Sequence, residues 1–104
     1  MALESVTTVP RQVLSDNPRR KRLLVQMQPE SIDAANTGRV HIGFGAPATP
    51  TVGHSNQGII LIQSSALDEP STTDPLDKRY KGSIWLVASA TSSVVVEEET
   101  ADAP

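Results

Sequence analysis

Apolar and polar positions alternate along much of this chain, most clearly from Arg19 to Gln28 (RRKRLLVQMQ). Leu23, Val25 and Met27 fall on one face of an extended chain there, and the residues between them fall on the other. Alternation of this kind is typical of a β-strand with one buried face. The stretch therefore predicts a strand that begins with a run of basic residues.

The same reasoning predicts further strands. A second strand is predicted over residues 39–44, with Val40, Ile42 and Phe44 facing inward and Arg39 and His41 facing outward. Residues 58–63 (GIILIQ) are apolar on both faces, which favours a strand covered on both sides. Strand-forming residues return over 80–88 and at 94–96. The predicted core residues are Leu23, Val40, Ile60, Ile62, Ile84, Trp85 and Leu86.

The segments between these strands have the composition of turns and loops. Residues 15–18 (SDNP) predict a turn, because Asp and Asn bond their own backbone and proline fixes φ. Residues 29–38, with one helical turn at 30–35, and residues 46–56 and 64–78 predict loops. Since no segment shows an apolar period of 3.6 over three turns, we expect helices to be minor.

A chain of 104 residues fits one domain. The pattern predicts an all-β fold: a single antiparallel β-sandwich or jelly-roll-like domain with extended N- and C-terminal arms. Residues 15–99 would form the domain and 100–104 a C-terminal tail. Residues 1–14 would form an N-terminal arm or edge strand, since residues 6–9 are β-prone and Pro10 cannot donate to a ladder. We expect the acidic residues from Glu97 onward to order only on a neighbour, because they lack an apolar anchor.

The net charge is −3, but the charges are distributed unevenly along the chain: residues 11–22 are strongly basic and residues 97–102 are acidic. Such asymmetry favours oriented contact with another protein. Nucleic-acid binding is disfavoured, because the basic run is neither interleaved with aromatic residues nor part of a predicted recognition helix. In a regular strand, Arg20 and Arg22 would share one face, opposite Arg19 and Lys21.

The sequence offers little chemistry for catalysis or metal binding. There is no cysteine, and neither His41 nor His54 has a second ligand at metal-like spacing. The Gly43-Phe44-Gly45 stretch lacks the lysine or helix start of a phosphate loop. We therefore expect no enzyme activity and no cofactor. No apolar run approaches the ~20 residues of a membrane span, and no signal-peptide pattern opens the chain, so we expect synthesis in the cytoplasm and no membrane partner.

Four motifs resemble a known group of proteins. In order they are DNPRRKRLLVQMQ, RVHIGFGAPAT, GIILIQ and YKGSIWLVASATSSVVVEEE. Together they resemble small β-sandwich virion proteins of tailed bacteriophages, over residues 15–99. The resemblance implies a capsid decoration or cement protein, which binds the outside of the assembled head and stabilises contacts between major capsid subunits. The alternative is a head-fibre or tail-associated module that binds a host glycan or another virion protein.

The resemblance also implies partners and a location. The protein would sit on the capsid surface of the virion as a homo-dimer or homo-trimer, in contact with the major capsid protein. Its predicted interface residues are Arg19, Arg20 and Arg22, which would pair with acidic capsid surfaces, and Val6, Val9, Glu97, Glu98 and Glu99 in the terminal arms. An arm could bind by adding a strand to an exposed sheet edge.

Overall fold

The computed structural model describes residues 2–28, 38–53, 55–62, 65–69 and 79–101. These residues form eight β-strands and no helix, so the predicted all-β class is confirmed. The strands are β1 (Ala2–Val6), β2 (Arg11–Leu14), β3 (Arg20–Met27), β4 (Val40–Phe44), β5 (Ile59–Leu61), β6 (Ala66–Glu69), β7 (Ile84–Ala88) and β8 (Ser92–Thr100).

The strands pair in a nested order. β1 pairs with β8, β2 with β7, β3 with β6, and β4 with β5, always antiparallel. Two further antiparallel pairings, β3 with β8 and β4 with β7, join these pairs. The result is two four-stranded sheets: sheet A, in the order β1-β8-β3-β6, and sheet B, in the order β2-β7-β4-β5.

The two sheets share one hydrophobic core, which gives the molecule a sandwich-like arrangement. Sheet A contributes Val6, Leu23, Val25, Met27, Val94 and Val96, and sheet B contributes Val40, Ile42, Leu61, Ile84, Leu86 and Ala88. The predicted inner face of β3 is confirmed, because Leu23, Val25 and Met27 are almost fully buried. Alternate residues of β3, β4, β7 and β8 face this core, as expected for packed sheets.

The predicted faces of β4 are only partly right. Val40 and Ile42 are buried as expected, but His41 is also buried and Phe44 is exposed. The β4–β5 loop folds back over the outer face of β4: a side chain at Gly58 would collide with the Ile42 carbonyl oxygen and touch Ala48. This loop covers His41, whereas Phe44 lies at the open end of the strand.

The prediction that residues 58–63 form a strand covered on both sides is wrong. β5 is the edge strand of sheet B and pairs only with β4. Leu61 is buried, but Ile60 is half-buried and Ile62 is 61% exposed. Trp85 is also only partly buried, so three of the predicted core residues lie outside the core. Apolar composition predicts a strand here, but the pairing partners determine its place in the sheet.

The first and the last of the eight strands both lie in sheet A. β1 is an edge strand that ends at Val6, and residues 7–10 then cross to sheet B, where the Thr7 carbonyl accepts a hydrogen bond from Ala88 N (2.8 Å). The expectation that residues from Glu97 onward order only on a neighbour is wrong as far as Ala101, because β8 continues to Thr100 along β3. The predicted loop at 64–78 is wrong at residues 66–69, which form β6. The predictions for residues 29–37, His54, 63–64, 70–78 and 102–104 lie outside the described residues.

Candidate functional site

The basic run of β3 and the acidic run of β8 meet at one end of the sandwich. They meet because β3 and β8 are antiparallel neighbours, so the start of one lies beside the end of the other. We call this region, residues 15–22, 79–83 and 97–101, the charged end. It contains six of the interface residues predicted from the sequence: Arg19, Arg20, Arg22, Glu97, Glu98 and Glu99.

A β-bulge divides the basic run. Arg20 lies opposite Thr100, yet Arg22, two residues later, lies opposite Glu99, so β3 has one residue more than β8 here. A bulge of this kind reverses the alternation of side chains. The expectation that Arg20 and Arg22 share a face is therefore wrong: Arg20 lies on the core side and Arg22 on the outer side.

Arg20 closes this end of the core through a buried ion pair. Its Nε donates to Glu98 Oε2 (2.8 Å), and its other nitrogens donate to the carbonyl oxygens of Gly82 and Ser15 (3.0 Å each). Glu98 lies on the same face of β8 as Val94 and Val96, and it also accepts from Asn17 Nδ2 (3.3 Å). Arg20 is 3% exposed, so it is not accessible to a partner in this arrangement.

The remaining ion pairs of the charged end lie on the outer face of sheet A. Arg22 Nη1 lies 3.2 Å from Glu97 Oε1 and 3.9 Å from Glu99 Oε1, and Lys21 Nζ lies 4.0 Å from Glu99 Oε2. All four side chains are about a quarter to two-fifths exposed. Pairs this exposed typically contribute less than about 1 kcal/mol each to stability, so they leave these residues available for other contacts.

Two cations from the segment before β7 hold the bulge in place. Arg79 Nη2 donates to the Lys21 carbonyl (2.9 Å), and Lys81 Nζ donates to the Arg20 carbonyl (2.7 Å). A bulge disrupts the ladder and leaves backbone groups without their usual strand partners. These two side chains satisfy the carbonyl groups that the bulge releases, which the sequence alone did not reveal.

Arg19 is the most accessible cation of the basic run. Its backbone is fixed, because its N–H donates to Asn17 Oδ1 (3.2 Å) and its carbonyl accepts from Ala101 N (2.7 Å). Within the described part of the chain, its guanidinium makes no ion pair or hydrogen bond, and the residue is exposed. A partner could therefore bind Arg19 without breaking a contact inside the molecule.

The two valines predicted for the N-terminal interface lie in different environments. Val6 is 2% exposed and packs in the core, so it is accessible only if β1 leaves sheet A. Val9 is 69% exposed and lies in the crossing between the sheets. Of the two, Val9 is placed to contact a partner.

Phe44 and Tyr80 form an exposed aromatic pair next to the charged end. Their ring centroids are 5.3 Å apart and the rings are nearly perpendicular, at 81°. Each residue is more than a third exposed. The Tyr80 ring lies against Gly82, where a side chain would collide with it, and the Gly82 carbonyl also binds Arg20. Because 35 residues separate the two aromatics in sequence, the pair was not predictable from spacing.

The buried His41 has a structural role in this arrangement. Arg39 Nε lies 3.1 Å from His41 Nε2, and because arginine can only donate, Nε2 must accept. His41 Nδ1 therefore carries the proton and donates to the Gln57 carbonyl oxygen (2.8 Å). Arg39 Nη2 also donates to the Pro50 carbonyl (3.2 Å). Through these hydrogen bonds to loop carbonyls, His41 and Arg39 hold the β4–β5 loop against sheet B.

Among the described residues, no group of three or more His, Asp or Glu side chains is placed to hold a metal ion. Every buried polar side-chain atom in the described part of the chain has a hydrogen-bond partner. Nor does this part of the chain contain a helix long and apolar enough to cross a membrane.

Comparisons with known proteins give no relative. A scan against models of protein families finds no matching family, and neither a search of curated proteins nor a search of solved structures finds a match. A function is therefore inferred from the residues and contacts of this chain.

Proposed function

We propose that the fold is a jelly roll. Consider a long hairpin with β1–β4 along one half and β5–β8 along the other. Such a hairpin would pair β1 with β8, β2 with β7, β3 with β6 and β4 with β5. Rolling up this hairpin would then bring β8 beside β3 and β7 beside β4. All six pairings are those of this chain, which supports the proposal. Jelly rolls of eight strands include viral capsid and lectin domains.

We further propose that the protein is a capsid decoration or cement protein of a tailed bacteriophage. The nested pairing of the eight strands is the observation that carries this proposal, since it supports an architecture common among capsid proteins. The virion-protein motifs of residues 15–99 support the same conclusion. The protein would bind the outside of the assembled head, where major capsid subunits meet.

Such a protein works by selective binding. A ligand that binds the assembled, expanded shell but not its dissociated subunits stabilises the shell by mass action. Each contact can be weak, because many symmetry-related copies act together. At the charged end, Arg19 is free to pair with an acidic capsid surface. Arg22 could also do so, because its ion pairs within the molecule are partly exposed. The acids of β8 neutralise part of the positive charge beside them, which favours a protein surface over a nucleic acid.

The test uses expanded heads of the encoding phage, assembled without this protein. Purified protein should bind them at saturable, symmetry-ordered sites and raise their melting temperature. Arg19→Glu should weaken the binding about tenfold or more, as expected for one charge-assisted contact turned repulsive. Thr51→Glu, which introduces the same side chain at another exposed residue, in the β4–β5 loop, is the control. Absence of binding to expanded heads would rule out the decoration role.

A second candidate function rests on the Phe44–Tyr80 pair. Exposed aromatic side chains offer an apolar surface with a polar group at one end, and Tyr80 supplies such a hydroxyl. The pair favours a fibre or tail module that binds a host glycan through ring stacking. A glycan array probed with the isolated protein tests this function. Binding that is lost in Tyr80→Ala and kept in Thr51→Glu would support it, and an array without signal would exclude it.

A further inference from the structure

The sandwich has two open sides, each made of one edge strand from each sheet. β1 and β2 lie on one side, where Arg11 and Glu4 form an ion pair between the two strands. β5 and β6 lie on the other side, where the N–H and the hydroxyl of Ser65 both donate to the Ile62 carbonyl oxygen. We call these the β1/β2 side and the β5/β6 side.

Both sides expose large apolar residues. On the β1/β2 side, Leu3 is 67% exposed and Val9 is 69% exposed. On the β5/β6 side, Ile59 is 40% exposed and Ile62 is 61% exposed. β5 is a short strand of three residues, but it carries no charged residue, proline or bulge, which are further devices that protect an edge strand from association. An apolar edge of this kind is typical of a surface that another chain covers.

The charges of the two sides are complementary. On the β5/β6 side, Asp68 is exposed and Glu69 is half-buried, so this side is acidic. On the β1/β2 side, Arg11 is exposed, with 52% of its side chain accessible, and its partner Glu4 is more buried, at 27%. The more accessible charge of this ion pair is therefore the positive one, which can attract the acids of the β5/β6 side across an interface.

The strand directions also allow one side to meet the other. Each sheet contains four strands and all pairs are antiparallel, so the two edge strands of a sheet run in opposite directions. A second copy that is rotated about an axis parallel to the strands would place its β2 beside β5, and its β1 beside β6. In both sheets, the alternation of strand direction would continue across the contact.

We propose that copies of this chain associate head to tail, with the β5/β6 side of one copy against the β1/β2 side of the next. A repeated contact of this kind closes into a ring when 360° is a whole multiple of the rotation angle that relates one copy to the next. Contact between two identical β5/β6 sides is disfavoured, because it would bring Asp68 and Glu69 of one copy against the same acids of the other. Ile59 and Ile62 would instead lie beside β2 of the next copy and near its Val9, and Leu3 of that copy would lie beside β6.

The contact involves few side chains, so it should be weak. A stable interface usually buries about 800 Å² per partner, and a few edge side chains bury less. We therefore expect association with a Kd of about 10 µM to 1 mM, which a ring strengthens because each copy makes two contacts. The contact forms without a capsid, so its test is separate from that of the decoration role.

Two lysine substitutions and their mixture test the arrangement. Ile62→Lys should block the β5/β6 side, and Val9→Lys should block the β1/β2 side. Either variant alone should sediment as a monomer at about 1 mM, where the unmodified protein forms oligomers, because every head-to-tail contact needs both sides. An equal mixture of the two variants should form a dimer and nothing larger, since one intact side remains on each.

The controls and contrary outcomes are defined by the same sedimentation measurements. Val52→Lys, a change at an equally exposed valine of the β4–β5 loop, should associate like the unmodified protein. Circular dichroism melts should show all three variants folded, because each substituted residue is at least 60% exposed. A Val9→Lys variant that still associates would show that identical sides meet and would overturn the head-to-tail contact. So would an unmodified protein that stays monomeric at about 1 mM.

Discussion

Arg20 and Glu98 form a buried ion pair across sheet A, with Nε and Oε2 2.8 Å apart, and the pair closes one end of the hydrophobic core. The β-bulge at the start of β3 turns Arg20 inward, and the two-residue spacing from Val96 turns Glu98 inward. Two elements of the sequence that looked like separate charged surfaces, one basic and one acidic, are thus joined inside the molecule.

Replacing Arg20 with alanine should strongly destabilise the protein. The change would leave Glu98 without its ion partner and the carbonyls of Gly82 and Ser15 without a donor. Breaking a buried pair costs about 3–5 kcal/mol, and the partial exposure of Glu98 (29% of its side chain) places the loss near the lower figure. Urea unfolding measures this loss.

The exposed pair provides the control for Arg20. Arg22→Ala, which removes the contacts to Glu97 and Glu99, should cost less than about 1 kcal/mol. A double variant, Arg20→Met with Glu98→Leu, should recover much of the lost stability, because apolar residues can replace a buried pair. If Arg20→Ala and Arg22→Ala cost the same, the ion pair does not close the core.

Replacing His41 with leucine should loosen the β4–β5 loop. Leucine cannot accept from Arg39 Nε or donate to the Gln57 carbonyl, and a buried group left without a partner costs about 1–3 kcal/mol. Hydrogen exchange should accelerate at the backbone amides of the loop. The amides of β3, which lies in the other sheet, should show the smallest increase. Val52→Ala, in the same loop but exposed, should leave the exchange unchanged.

Substituting two glycines of the β4–β5 loop by alanine separates the cost of backbone strain from the cost of a steric collision of the new side chain. Gly53 (φ 86°) and Gly58 (φ 68°) both have a left-handed backbone, but only Gly58 lies against Ile42 and Ala48. Gly53→Ala should cost about 1–2 kcal/mol from the backbone alone. Gly58→Ala should cost clearly more, because the loop must also move off β4. Thermal unfolding of both variants measures the difference.

Deleting residues 1–6 should lower the melting temperature by well over 5 °C. The deletion removes all five pairings of β1 with β8 and the buried Val6, and core truncations of one large side chain alone cost about 1 kcal/mol or more. An N-terminal arm that orders only on a neighbour would predict an unchanged melting temperature for the isolated protein. Calorimetry of the two proteins distinguishes these outcomes.

Strands β3, β4 and β7 were predictable from the sequence because apolar residues line one face of each, whereas β6 lies in a segment that was predicted as a loop. Leu23, Val25 and Met27 alternate with polar residues, and the structure buries them as the pattern predicts. The prediction failed where contacts from distant segments decide the outcome. His41 looks like a solvent-facing residue until the β4–β5 loop covers it, and the apolar β5 looks central until its single pairing places it at an edge.

The charged end was predictable in composition but not in arrangement. The sequence identified the basic and acidic runs, yet the inward turn of Arg20 depends on one extra residue in β3, and no pattern in the sequence marks that bulge. The support from Arg79 and Lys81 depends on the tertiary fold, which brings the segment before β7 close to the start of β3 in the other sheet. Whether Arg19, Val9 and the acids of β8 contact another protein stays a prediction.

The nested pairing also affects how the chain folds as it is made. β1 pairs with β8, so residues near the two ends of the chain must find each other, with Ala2 opposite Val96. Contacts this distant in sequence make folding slow, on the scale of milliseconds to seconds for all-β domains. During synthesis, β1 leaves the ribosome long before its partner exists. β1 therefore stays unpaired in the nascent chain until β8 emerges, and sheet A can close only from that point on.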